Sequence, residues 1–219
     1  MKVVPEPKGD PDKVPDQRMV WREIAALLGG RVIEGKRPTA DKVAVPHGAW
    51  TIELDTFVQS NGTSPVWYTR VRAHVTGWRG MTVFARRRNV FDRVFEALGF
   101  GSRLPLAPSL LERYMVRGNP PSRVPSLFAD ATLAEAMFAV PSLRLRVKRA
   151  SRKDRKRLGE ETGEVLCTTT GIIRDVNHLA AMTRVVAETV TALERVGEIR
   201  WDPRRLGTAT DRNRRGGRR

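Results

Sequence analysis

Two runs of strictly alternating residues constrain this chain more than any other feature. In Ala49–Val58, Trp50, Ile52, Leu54 and Thr56 alternate with Thr51, Glu53 and Asp55. In Val66–Val75, Trp67, Thr69, Val71, Ala73 and Val75 alternate with Tyr68, Arg70, Arg72 and His74. A period of two over such lengths means strands with one apolar face and one polar face. Between the runs lies Asn61-Gly62, the strongest short signal for a hairpin turn, because both central positions of that turn need positive φ. A two-residue turn there pairs residues whose numbers sum to 123. Ile52 then faces Val71, Leu54 faces Thr69 and Trp50 faces Ala73. On the other face Glu53 meets Arg70 and Asp55 meets Tyr68. The same Asn61-Gly62-Thr63 matches a glycosylation sequon and is read here simply as a turn.

The rest of the chain supplies the remaining elements. Arg18–Leu28 reads as a short amphipathic helix stopped by Gly29-Gly30. Lys42–Val45 and Met81–Arg86 read as further strands. Asn89–Leu98 reads as a helix with Asn89 as its N-cap and Gly99 as its terminator. Arg113–Arg117, Leu143–Lys148 and Glu164–Thr170 read as strands, Pro120–Asp130 and Thr132–Ala139 as short helices, and Ala150–Gly163 as a polar loop. Asp175–Val196 is the longest helix, with Val176, Leu179, Thr183, Val186, Val190 and Leu193 on its apolar stripe. Strands and helices that are not regularly interleaved predict an α+β fold with a mostly antiparallel sheet, flanking helices and a long C-terminal helix. The expected organisation is a disordered lead-in over 1–17, a single domain over 18–200 with a faint division into halves near residue 100, and a disordered Arg/Gly tail over 201–219.

Charge sets the chemistry. The 219 residues carry a formal net charge of +16, and 32 of the basic residues are Arg against 8 Lys. Residues 144–157 hold nine basic groups, Arg144, Arg146, Lys148, Arg149, Arg152, Lys153, Arg155, Lys156 and Arg157, against Asp154 alone. The tail over 202–219 adds seven Arg against Asp202 and Asp211. A positive field at that density attracts polyanions. The segment is therefore a candidate surface for nucleic acid or another polyanion, although no aromatic is interleaved in 142–163 and Glu160, Glu161 and Glu164 follow at once.

A second candidate is the polar face of the hairpin. Glu53, Asp55, Tyr68, Arg70, Arg72 and His74 share one sheet surface by alternation. The plainer reading is a cross-strand charge ladder. If an element covers that face, the same set becomes a buried polar cluster suited to an enzyme or a small-molecule binder.

Other chemistries find no foothold. His47, His74 and His178 are not at ligand spacing, and Cys167 has no companion, so no metal site, disulfide or cofactor is expected. Cys167 reads as a small core residue on a strand. Nucleophile elbows, dinucleotide turns and phosphate loops are absent from the sequence. The longest uncharged stretch, Thr56–Thr69, includes Gln59, Asn61 and Ser64 and is too short and polar to span a membrane. Met1–Gln17 has no apolar segment of the signal-peptide kind. These features together predict a cytoplasmic protein.

The segments Trp50-Thr51-Ile52-Glu53-Leu54-Asp55-Thr56, Tyr68-Thr69-Arg70-Val71-Arg72-Ala73 and Tyr114-Met115-Val116-Arg117-Gly118-Asn119, in that order and followed by a long terminal helix, resemble an uncharacterised bacterial protein family. The resemblance spans Arg18 to Val196. It implies a bacterial cytoplasmic protein and no known reaction, so it carries over no catalytic residue. The basic segment over 144–157 makes a non-enzymatic binding or accessory role in contact with nucleic acid or another polyanion the expectation, with an enzyme or small-molecule binder using the polar sheet face around Glu53, Asp55, Arg70 and His74 as the alternative.

Overall fold

The computed structural model describes residues 17–35, 41–60, 65–89, 92 and 104–201. Eight strands form one sheet: β1 (Arg31–Ile33), β2 (Lys42–His47), β3 (Trp50–Ser60), β4 (Pro65–Val75), β5 (Thr82–Arg87), β6 (Tyr114–Asn119), β7 (Arg144–Arg149) and β8 (Gly163–Thr170). Their order is β1-β2-β3-β4-β8-β7-β5-β6, and every pairing is antiparallel. The helices are α1 (Gln17–Leu27), α2 (Pro108–Arg113), α3 (Val124–Leu127), α4 (Ala131–Phe138), α5 (Arg152–Leu158) and α6 (Val176–Arg195). This is an α+β architecture with a long C-terminal helix, as the alternating pattern and helical stripes predict.

One sheet face is the core. Val43, Ile52, Leu54, Val71, Ala73, Val83, Ala85, Val116, Leu145, Val147, Val165 and Cys167 are all buried on it, following the period of two along each strand. Helix α6 lies across this face against β3, β4 and β8, with α1 and α4 beside it. Its buried positions form a wider stripe than the sequence suggests, adding Met182, Val185, Thr189 and Ala192. The two buried threonines satisfy themselves: Thr183 Oγ1 donates to the Leu179 carbonyl at 2.8 Å and Thr189 Oγ1 to that of Val185 at 2.7 Å. Asp175 caps the helix by accepting from the Asn177 backbone N–H at 2.9 Å. Thr69, fully buried on β4, donates to the Gly171 carbonyl at 2.8 Å and accepts from the Ile173 N–H at 2.9 Å. That one hydroxyl pins the β8–α6 connection over the sheet.

Several expectations need correction. The β3–β4 register sums to 125, not 123: Glu53 pairs with Arg72, Leu54 with Val71, Asp55 with Arg70 and Ile52 with Ala73. The last pair is Ser60–Pro65, which leaves four intervening residues rather than a two-residue turn; Asn61 and Gly62 themselves lie outside the described residues. A slip of two preserves sidedness, so the faces stay as expected while each partner changes. Trp50 is buried, whereas Trp67, near the strand end, is only half-buried. The expected loop at 150–163 contains α5. Ser151 caps it, accepting from the Asp154 N–H at 3.2 Å, with Asp154 in its first turn and Arg155, Lys156 and Arg157 in its last. That order complements the helix dipole. Gln17 belongs to α1 rather than to a disordered lead-in.

The helix expected over Asn89–Leu98 lies mostly outside the described residues. Its predicted cap is present: the Asn89 side chain accepts from the Asp92 N–H at 2.9 Å, and Asp92 Oδ2 accepts from the Asn89 N–H at 2.8 Å. The tail over 202–219 also lies outside the described residues.

Candidate nucleic-acid interface

The second sheet face gathers both groups of residues singled out from the sequence. On β4, Tyr68, Arg70, Arg72 and His74 pair with Thr170, Thr168, Leu166 and Glu164 of β8. On the far side of β8, Thr168, Leu166 and Glu164 pair with Arg144, Arg146 and Lys148 of β7. Arg146 and Arg144 pair in turn with Phe84 and Arg86 of β5, and Phe84 with Arg117 of β6. The hairpin cluster and the basic strand are thus two halves of one surface, joined through β8.

The β3–β4 half is internally neutralised. Arg70 grips Asp55 through both oxygens, at 2.7 and 2.6 Å. Arg72 lies 2.9 Å from Glu53, 3.8 Å from Asp55 and 3.9 Å from Glu164. Lys42 approaches Glu53 at 3.8 Å, and Lys148 reaches Glu164 at 3.1 Å across the seam. The Asp55 and Glu164 side chains are 6% and 8% exposed, so these carboxylates depend on the cations beside them, Arg70 for Asp55 and Lys148 with Arg72 for Glu164. Burial works to raise the Glu53 carboxyl, and Arg72 and Lys42 overcome it, leaving it below its ordinary value. A carboxyl held ionised in this way is a poor proton donor. His74 sits at the end of this half, with Nε2 3.5 Å from Asp154 of α5. Burial and the Arg72 charge lower its pKa against the pull of Asp154, Glu164 and Glu53. Tyr68 stacks on Phe57 with ring centroids 5.2 Å apart, and Arg70 lies 4.8 Å from the Phe57 centroid.

The β7–β5–β6 half is different. Arg144, Arg146 and Arg117 are exposed, and none forms an ion pair among the described residues. The Arg146 guanidinium lies 5.2 Å from the centre of the Phe84 ring. Phe84 stands between Arg146 and Arg117 in one cross-strand row. A depression of about 410 Å³ opens here, lined by Thr82, Phe84, Arg117, Gly118, Arg146 and Lys148. Gly118 is required by close packing: a Cβ would fall 2.5 Å from the Thr82 carbonyl oxygen and 2.6 Å from Val124 Cγ2.

The other members of the nine-residue basic segment divide. Arg149 and Arg155 share Glu160, at 3.2 and 3.1 Å. Arg155 also donates to the Ala150 carbonyl at 2.7 Å. Arg157 lies 3.8 Å from Asp154. Arg152, Lys153 and Lys156 project from α5 exposed, with no ion pair among the described residues. The polyanion set named from sequence therefore comprises an unpaired group, Arg144, Arg146, Arg152, Lys153 and Lys156, and a paired group, Lys148, Arg149, Arg155 and Arg157. Sequence reasoning missed Arg117 and Phe84. Both alternate correctly on their own strands, but only the β5–β6 and β5–β7 registers place them beside Arg146.

Cys167 is fully buried on the core face, and burial pushes its thiol up to about 12, which makes it a packing residue rather than a nucleophile. His47 on β2 meets Thr191 of α6 at 3.1 Å, remote from His74. No group of three or more His, Cys, Asp or Glu among the described residues is arranged to hold a metal ion. No described helix is long and apolar enough to cross a membrane. Comparison with known proteins yields no matching family model, no matching curated protein and no matching solved structure.

Proposed function

We propose that this chain is a non-enzymatic binding protein of the bacterial cytoplasm that holds single-stranded nucleic acid along the β7–β5–β6 half of its sheet. One observation carries the reading. Arg117, Arg144 and Arg146 are exposed, without carboxylate partners among the described residues, on a face whose other half pairs both of its arginines. Exposed guanidinium groups without carboxylate partners attract phosphates, and their planes also stack on bases. Phe84, half-buried between Arg117 and Arg146, adds an aromatic surface that the basic segment lacks in its own sequence. Arg152, Lys153 and Lys156 on α5 extend the positive field from the Lys148 end. An open antiparallel face suits splayed single strands better than duplex, whose major groove admits a helix or a two-stranded ribbon.

The test is fluorescence anisotropy with a random single-stranded oligoribonucleotide and a random DNA duplex across a salt series. Expected is tighter binding to the single strand, with log affinity falling by about 0.7 per phosphate neutralised for each tenfold rise in salt. Affinity that does not change with salt, or that is indifferent to Arg144→Gln/Arg146→Gln, would overturn the reading.

A further inference from the structure

We infer that a second cavity, at the end of the basic face where β4, β8 and β7 meet the Pro141–Leu143 turn, takes a phosphate monoester. The inference deepens the nucleic-acid reading and rests on it: the ligand is the terminal phosphate of a bound strand, and a free nucleotide carries the same chemistry. The cavity holds about 340 Å³, a volume of the order of a small ligand site. The residues that matter in its lining are Tyr68, Arg87, Ser142, Arg144, Thr168 and Thr170.

Three features select phosphate. Among the described residues no Asp or Glu lines the cavity, while four arginines do. One of these, Arg86, is already held by Asp92 at 2.6 and 2.8 Å. Arg87 is fixed by donating to the Pro141 carbonyl at 2.9 Å, which leaves the rest of its fork of donors over the opening. Arg144 has no ion pair among the described residues. The hydroxyls of Tyr68, Ser142, Thr168 and Thr170 likewise make no hydrogen bond among the described residues, although all four line one space. Hydroxyls of this kind donate to phosphate oxygens and cost nothing electrostatically. The ring of Tyr68 is held by its stack on Phe57, so its hydroxyl end is preorganised toward the site. A monoester dianion offers three acceptor oxygens and more charge than an internal diester, and it fits a walled cavity better than a continuous backbone does.

Thr168 separates Arg70 from Arg144 on the same cross-strand row. The adjoining arginines therefore differ sharply: Arg70 is saturated by Asp55 and Arg144 is open. The site lies on the open side of that boundary.

The experiment compares three probes by calorimetry on the full chain. They are a 5′-phosphorylated oligoribonucleotide, the same oligonucleotide with a 5′-hydroxyl, and adenosine monophosphate; a 3′-phosphorylated oligonucleotide serves as a fourth arm for polarity. A terminally phosphorylated strand is expected to bind at least about fivefold tighter than its hydroxyl counterpart, roughly 1 kcal/mol. Thr168→Val, which keeps shape and removes one hydroxyl, is expected to erase most of that difference while leaving the hydroxyl strand's affinity unchanged. Equal affinity for phosphorylated and hydroxyl strands, with the salt dependence intact, overturns the monoester site and leaves the nucleic-acid reading standing. Nucleotide bound as tightly as the strand supports the site and overturns the nucleic-acid reading. Binding of none of the probes overturns both. Thermal melting of Thr168→Val unchanged within about a degree shows that the variant reports on binding rather than folding.

Discussion

The two halves of the exposed sheet face are built from the same residue types and behave as opposites. On β3 and β4, arginine is answered by carboxylate: Arg70 by Asp55, and Arg72 by Glu53 with Asp55 and Glu164 near. On β7, β5 and β6, Arg144 lies between Thr168 and Arg86, Arg146 between Leu166 and Phe84, and Arg117 beside Phe84, and of the arginines in these rows Arg86 alone has a carboxylate among the described residues, that of Asp92. The difference teaches that a count of arginines says little about where a polyanion binds. What matters is which guanidinium groups already have a carboxylate, because a paired one must lose that partner before it serves a phosphate. The seam is β8, where Glu164 faces Arg72 on one side and Lys148 on the other; beyond it Arg144, Arg146 and Arg117 have no carboxylate among the described residues, while Arg86 is answered by Asp92.

The sharpest way to break this comparison is to remove one arginine from each half. Arg72→Ala leaves Glu53, Asp55 and Glu164 short of a partner in a half-closed site, and a loss of about 3 kcal/mol is expected from urea unfolding. Arg144→Ala is expected to change stability by less than about 0.5 kcal/mol, as for a surface substitution without partners. Equal effects would show that the halves are energetically alike. Binding should invert the order. Arg144→Gln/Arg146→Gln is expected to weaken single-strand binding by about tenfold at low salt, roughly 1.4 kcal/mol, and to reduce the salt slope by about 1.4.

Much of this surface is legible in the sequence, but unevenly. Alternation identifies which face each residue occupies, because a period of two depends only on the residue's own strand. It does not identify partners. The expected pairing of Glu53 with Arg70 slipped by two because it presumed a two-residue turn, whereas the register closes at Ser60–Pro65. Helix α5 escaped detection because it buries nothing; its signals are a capping serine and a favourable order of charge, not an apolar stripe. The joining of the two candidate sites depends on β4–β8 and β5–β7 pairings between residues far apart in the chain, and no local pattern encodes those. The Arg117–Phe84–Arg146 row was hidden for the same reason.

Acid titration sharpens the paired half further, with smaller effects. The His74 pKa is lowered from its ordinary 6.5, first by burial and then by Arg72. The unfolded chain therefore binds the proton more readily, and stability falls as pH drops from about 6.5 toward the folded value. His74→Gln is expected to flatten that part of the stability profile. Glu53 has the complementary behaviour. Burial opposes and Arg72 with Lys42 dominates, so its carboxyl is acidic in the fold. Its contribution is fully present above its ordinary 4.5 and is lost as pH falls through the folded value. Glu53→Gln is expected to reduce the acid-limb slope below pH 4.5, measured by chemical unfolding at stepped pH. Neither substitution touches the open half, so neither should alter binding at pH 7.

The most direct measurement is an amide NMR titration of the full chain with a 5′-phosphorylated single-stranded oligoribonucleotide. The account predicts shifts concentrated on β5, β6, β7, the Pro141–Leu143 turn and the Thr168–Thr170 end of β8, with α5 affected more weakly and β2 and β3 nearly silent. Shifts centred on Glu53, Asp55, Arg70 and Arg72, or none at all at low salt, would contradict it.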